Sequence, residues 1–183
     1  MKRFGLLLAL GIASFFIVII SAAPSVVAQT IPDRVQAVYD STDAQTEIPL
    51  MVPSVVPLGS QAAPTEYWAV GGISPSNDKY VINFNRAEDC TGAEECSFAL
   101  ASGEIRSDTD PALEYLFGHP SRTGAEEISL ANGIDAVYIP ARDGLYMPSY
   151  VYWDISEYRY SVGIYMGEKD EVMEMANSSI ERE

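Results

Sequence analysis

The groups able to do chemistry in this sequence are few, and most of them exclude a reaction. There is a single histidine, His119, set in Gly118-His119-Pro120. One imidazole cannot build a multi-histidine metal centre within one chain. As the base of a hydrolytic triad it would need a carboxylate to orient it and a serine to activate. No Gly-x-Ser-x-Gly elbow is present to offer that serine, so His119 reads as a polar turn residue. Carboxylates are abundant, and Asp108 with Asp110, Glu94 with Glu95, and Glu126 with Glu127 each offer hard oxygen ligands of the kind calcium takes. None matches the calcium-loop pattern of spaced acids around a glycine turn, and solvated surface charge accounts for them. Two carboxyls across a cleft would suit glycoside hydrolysis, but linear sequence does not set that separation. Gly71-Gly72 lacks the Lys-Ser/Thr of a phosphate-binding loop and reads as a strand bulge. No catalytic residue, metal ligand or cofactor is assigned.

Aromatic residues are spread unevenly. Of the 11 tyrosines, seven lie from Tyr138 onward, with Trp153 among them. If Val151, Trp153 and Ile155 face a helix, then Tyr150 and Tyr152 face the other side of their strand. Tyr165 and Arg159, opposite in sense to Tyr160, share that outer side. Tyr150, Tyr152, Asp154, Arg159 and Tyr165 are thus the candidate binding residues, a strip able to stack a sugar or grip a peptide. The plainer account is that tyrosine suits a pleated, half-buried surface.

The elements that must position these groups begin after a leader. Lys2 and Arg3 precede the uncharged run Phe4 to Ala23, and Pro24 then breaks the chain before Ser25-Val26-Val27-Ala28. This is the three-part pattern of a signal peptide over residues 1–28, with cleavage expected before Gln29 or, earlier, after Ala22 or Ala23. The run is also long enough to anchor the chain if it is not cut. Either way the remainder is expected outside the cytoplasm, in periplasm, medium or thylakoid lumen. In such an oxidising compartment Cys90 and Cys96, the only two cysteines, are expected to pair as a disulfide. Their spacing is not Cys-x-x-Cys and no histidine is near, which argues against redox or metal work.

The formal net charge is −15, and loss of residues 1–28 removes Lys2 and Arg3 and no acid. Such a field repels phosphate backbones and anionic headgroups, so neither nucleic acid nor membrane, beyond the leader itself, is an expected partner. The partner class left open is an unidentified ligand or protein.

Residues 29–65 are Pro-rich and predict an extended N-terminal segment at the edge of a domain or packed across it, with a short helix after Pro32. Residues 66–183 predict the domain proper. Period-two alternation marks strands at Tyr67–Ile73, Tyr80–Arg86, Ser97–Ile105, Glu127–Ala131, Ile134–Ile139, Tyr150–Ile155 and Tyr158–Met166. The Cys90–Cys96 loop caps one hairpin, and Asn132-Gly133 predicts a two-residue turn in another. Asp110-Pro111 predicts the start of a short helix ended by Gly118. After Asp170 the period becomes helical, with Val172, Met175, Ala176 and Ile180 forming one stripe. The expected class is α+β, an antiparallel sheet of about six to seven strands with the C-terminal helix packed on one face.

Two stretches also resemble a family. Glu47-Ile48-Pro49-Leu50-Met51-Val52-Pro53-Ser54-Val55-Val56-Pro57 is similar to the P-L-x-x-P-S-x-x-P opening of secreted bacterial, cyanobacterial-type domains of unknown function. Tyr152-Trp153-Asp154-Ile155-Ser156-Glu157-Tyr158-Arg159-Tyr160 resembles their W-x5-Y-x-Y strand pair, and Glu171 to Ser178 their closing helix. The resemblance implies an exported sheet-plus-helix module and carries no catalytic residues. Three functions follow as expectations: a non-catalytic ligand- or partner-binding or structural envelope domain, a carboxylate-dependent hydrolase of envelope or extracellular polysaccharide, and a membrane-tethered sensor.

Overall fold

The computed structural model describes residues 31–57, 66–90, 96–106, 124–141 and 147–181. The leader, the Asp110-Pro111 helix, His119 and the acid pairs Asp108/Asp110 and Glu94/Glu95 lie outside these residues. Among the described residues the elements are α1 (Asp33–Asp43), β1 (Trp68–Ile73), β2 (Lys79–Asn85), β3 (Ser97–Ile105), β4 (Glu126–Ser129), β5 (Asp135–Ile139), β6 (Pro148–Ile155), β7 (Tyr158–Tyr165) and α2 (Lys169–Ile180). The strands form one seven-stranded sheet in the order β1-β2-β3-β7-β6-β5-β4, and every pairing is antiparallel. The chain is therefore α+β, and its C-terminal helix packs against β6 and β7.

Alternation decides which side is buried. Val151, Trp153, Tyr160, Val162 and Ile164 point to the helix side with Ile82, Phe84, Ala99 and Ala101, and all are almost fully buried. Helix α2 presents Val172, Met175, Ala176 and Ile180 to them. Its first turn is held where the Glu168 N–H donates to the Glu171 carboxylate at 2.9 Å, and Asp170 and Glu171 complement the helix dipole there. Helix α1 begins directly after Pro32, whose fixed φ suits a helix entry, and buries Val35, Tyr39 and Thr42.

The Pro-rich segment completes this layer by crossing the helix side of the sheet, with Ile48, Val52 and Val56 buried. Prolines keep it extended, so its backbone polar groups need partners from outside. Tyr80 supplies two: its hydroxyl accepts the Met51 N–H and donates to the Met51 carbonyl, both at 3.0 Å. Tyr39 donates to the Pro53 carbonyl at 3.1 Å, and Ser178 of α2 accepts the Val55 N–H at 3.1 Å.

Cys90 and Cys96 lie at disulfide distance at the end of the β2–β3 hairpin, with Cα atoms 6.1 Å apart. Beside them Arg86 N–H donates to the Cys96 carbonyl and Asn85 Nδ2 to the Cys90 carbonyl.

Two local expectations are corrected. Gly71-Gly72 is not a bulge, because β1 and β2 pair without a break from Trp68↔Asn85 to Ile73↔Tyr80. The glycine lets α1 sit close: a Cβ at Gly71 would fall 2.6 Å from Thr42 Oγ1. The sheet irregularity lies instead at Phe84/Asn85, between β2 and β3. The β4–β5 connection is also wider than a two-residue turn, since the last strand pair is Ser129↔Asp135. Leu130 N–H donates to the Ile134 carbonyl at 2.8 Å around Ala131–Gly133. Asn132 and Gly133 do take the positive φ values that their types favour, 59° and 73°. What widens the loop is tertiary: Asn177 of α2 accepts the Ala131 N–H at 2.7 Å, and Leu130 is buried.

Candidate functional site

The sheet face turned away from the helices carries the predicted residues. Register places Tyr150 opposite Gly163, Tyr152 opposite Ser161 and Asp154 opposite Arg159. Period two then sets all of these on the side opposite Trp153 and Tyr160. Tyr165 shares the face but sits at its far end, opposite Pro148. Tyr150, Tyr152 and Arg159 line one depression of about 230 Å³, whereas Tyr165 does not reach it.

The two tyrosines differ in what they do. A Cβ at Gly163 would lie 2.8 Å from the Tyr150 ring, so Tyr150 lies over the glycine backbone and shields it, as aromatics do across a strand pair. Tyr152 leans against Tyr150 with ring centres 5.3 Å apart and faces a serine.

Neighbouring strands add groups that the linear reading missed. Ser161 is opposite Ser102 of β3, and their hydroxyls lie 2.8 Å apart, both buried. Glu104 stands between Arg159 on β7 and Lys79 on β2, and Lys79 Nζ reaches its carboxylate at 3.0 Å. The period-two order Ser102, Glu104 in β3 was the available signal. It needed the β3–β7 register to become a site.

Charge is held at one end of the depression. Arg159, only 6% exposed, donates from Nε to Asp154 Oδ1 at 2.9 Å and from a terminal nitrogen to Oδ2 at 3.2 Å. Arg106 reaches the same carboxylate at 3.3 Å. A bidentate guanidinium fixes both position and plane. Lys79, Arg106 and Arg159 gather on this face of an otherwise strongly acidic chain. The Tyr160 hydroxyl, on the opposite face, has its pKa raised by burial and then by the neighbouring Tyr158 and Glu157, so it remains a neutral core residue.

Glu126 and Glu127 do not converge as a cation site. They are adjacent in β4, and alternation sends them to opposite faces. Glu126 pairs with Lys169 of α2. Among the described residues no cluster of three or more His, Cys, Asp or Glu side chains could hold a metal ion. Among the same residues no helix is long and apolar enough to cross a membrane.

This arrangement belongs to the class of sheet-plus-helix domains in which one sheet face is core and the other carries a polar, aromatic-lined depression. Searches of known protein families, of curated proteins and of solved structures find no match to this chain.

Proposed function

We propose that this chain is an exported, non-catalytic binding module that takes a saccharide unit on the outer face of its sheet. The observation that carries the reading is the depression itself. A tyrosine wall stands beside a buried hydroxyl pair, with Lys79, Glu104 and Arg159 at its margin. Sugars offer an apolar ring face for stacking and hydroxyls for bonding, and this set of groups answers both. The acids of the face, Glu104 and Asp154, are each engaged by cations. That favours recognition over a carboxylate-dependent hydrolase, which would need one acid ready to give a proton to a leaving group. Export is supported by the leader pattern of residues 1–28, by the Cys90–Cys96 pair and by the likeness to secreted cyanobacterial-type domains.

Glycan-array screening of the mature chain, followed by calorimetric titration of the best oligosaccharide, tests the reading. Tyr152→Ala should weaken that binding about tenfold, the loss of roughly 1.4 kcal/mol of stacking. It should lower the melting temperature by no more than about 6 °C through loss of its contact with Tyr150, so that the domain stays folded at the temperature of the titration. Binding by Tyr152→Ala at the wild-type level would remove the outer face from consideration.

A further inference from the structure

We propose that the edge of the sheet at β1 accepts an extended, basic-flanked segment of a partner polypeptide as an eighth strand. In an antiparallel pair every second residue of an edge strand turns its N–H and C=O outward. Among the described residues nothing pairs with β1 on the side away from β2, and no backbone bond other than those to β2 involves Trp68–Ile73.

The two ends of the sheet are built differently. The far edge, β4, has four residues and two acids, one of them paired with Lys169, which is how proteins discourage edge pairing. Strand β1 is longer, with six residues, and contains neither charge nor proline. Its Val70, Gly71 and Gly72 are exposed, and a Cβ at Gly72 would meet nothing within 4 Å. At Gly72 no side chain covers the backbone, whereas Thr42 and Val38 of α1 close over one face of Gly71.

Helix α1 turns this edge into a groove. Ala37 and Ser41 of α1, one turn apart, and Gln45 just beyond its end, all uncharged, overlook β1 across a cavity of about 390 Å³. A second depression of about 350 Å³ lies along the same Val70–Ile73 stretch on the other face. Strand addition with small side-chain pockets on either side is an established mode of peptide recognition.

Charge selects the occupant. Asp33, Asp40 and Asp43 are exposed on α1, and Asp78 lies in the turn from β1 to β2. Glu66, just before β1, pairs with Arg34, whose guanidinium lies over Trp68. These five acids outnumber the cations Arg34 and Lys79 along the edge. Asp78 accepts hydroxyl bonds from Ser74 and Ser76. A second mature copy would bring these acids and a further charge of −17, the −15 of the full sequence without Lys2 and Arg3, against them. A segment with small or β-branched residues at its centre and Lys or Arg at its ends fits the uncharged strand and the excess of acid around it.

The test uses a synthetic peptide of alternating Val and Thr flanked by paired Lys, and its twin flanked by paired Glu. Addition of the Lys peptide to the mature chain should slow amide exchange at every second residue of β1. Its affinity should exceed that of the Glu peptide and fall with salt. Val70→Lys, outside the saccharide depression, should weaken it about tenfold, a loss of roughly 1.4 kcal/mol. Unchanged exchange at Trp68–Ile73, or equal affinity for the two peptides, would overturn the proposal. So would the same alternating protection arising on concentration of the chain alone, with dimers in sedimentation.

Discussion

Removing the carboxylate of Asp154 is the sharpest probe of the outer face. Asp154 serves two guanidiniums, Arg159 at 2.9 Å and Arg106 at 3.3 Å. The Arg159 side chain is 6% exposed and that of Asp154 17%. Stranding one partner of a buried ion pair costs about 3–5 kcal/mol. Arg106 is 33% exposed and recovers water when freed, and Glu104 remains beside Arg159 in the register. Those two facts bring the expected cost of Asp154→Ala down to about 2–3 kcal/mol, or roughly 4–12 °C in Tm for a domain of this size. Asp154→Asn should be little better, because its amide turns a donor toward a guanidinium that can only donate. Arg159→Met should cost less, about 1 kcal/mol, since Arg106 still covers Asp154 and the methionine stem fills the site. Urea unfolding at neutral pH, with equal m-values checked across the set, reads these differences. If Asp154→Ala and Arg159→Met each cost under about 0.5 kcal/mol, the two charges are solvated and the rigid margin of the depression does not exist.

Two other perturbations follow from the packing. A Cβ at Gly103 would lie 2.5 Å from the Tyr80 ring, whose hydroxyl is tied to Met51 on both sides, whereas the Tyr150 ring over Gly163 lies on the outer face. Gly103→Ala should therefore destabilise by about 2–3 kcal/mol and Gly163→Ala by nearer 1, with the order read from urea midpoints. Tyr80 is held neutral by burial, its pKa raised from the ordinary 10.0. The raised folded value means that this contribution is whole below about pH 10 and is lost as pH climbs above it, because only the unfolded chain ionises there. Tyr80→Phe should lower stability by about 1–3 kcal/mol at pH 7, leaving two Met51 groups unpartnered, yet flatten the decline above pH 10. A parallel decline in variant and wild type would place the alkaline sensitivity elsewhere.

Much of the sheet was legible because its alternation is unambiguous. In β7, Tyr158, Tyr160, Val162 and Ile164 point one way, and a slip of one residue would expose all of them. The same rule puts Tyr150, Tyr152, Asp154 and Arg159 on one face without reference to strand pairing. What sequence could not supply was strand order. The chain runs β1-β2-β3, then continues at the far edge and returns through β5 and β6, so that β7 closes against β3. Ser102 and Glu104 meet Ser161 and Arg159 only through that closure, a long-range contact with no local signal. Asn132-Gly133 shows the complementary limit. Both residues take the backbone angles their types favour, yet α2 reaches in through Asn177 and sets a wider loop. Gly71-Gly72 misleads in another way. Glycine in a strand marks close approach as readily as a bulge, and here a helix approaches.

The glycine partners of two tyrosines bear on how aromatic surfaces are read. Tyr80 over Gly103 and Tyr150 over Gly163 are the same device on opposite faces of one sheet. In each, a ring replaces the side chain that glycine lacks and keeps water from the strand backbone. Half of the aromatic wall at the depression is thereby already committed to the fold. Tyr150 should behave as a stability residue, so loss of binding in Tyr150→Ala would say nothing about a ligand. Tyr152 stands over a serine rather than a glycine, so its removal bares no glycine backbone and reports on recognition more directly than removal of Tyr150 does.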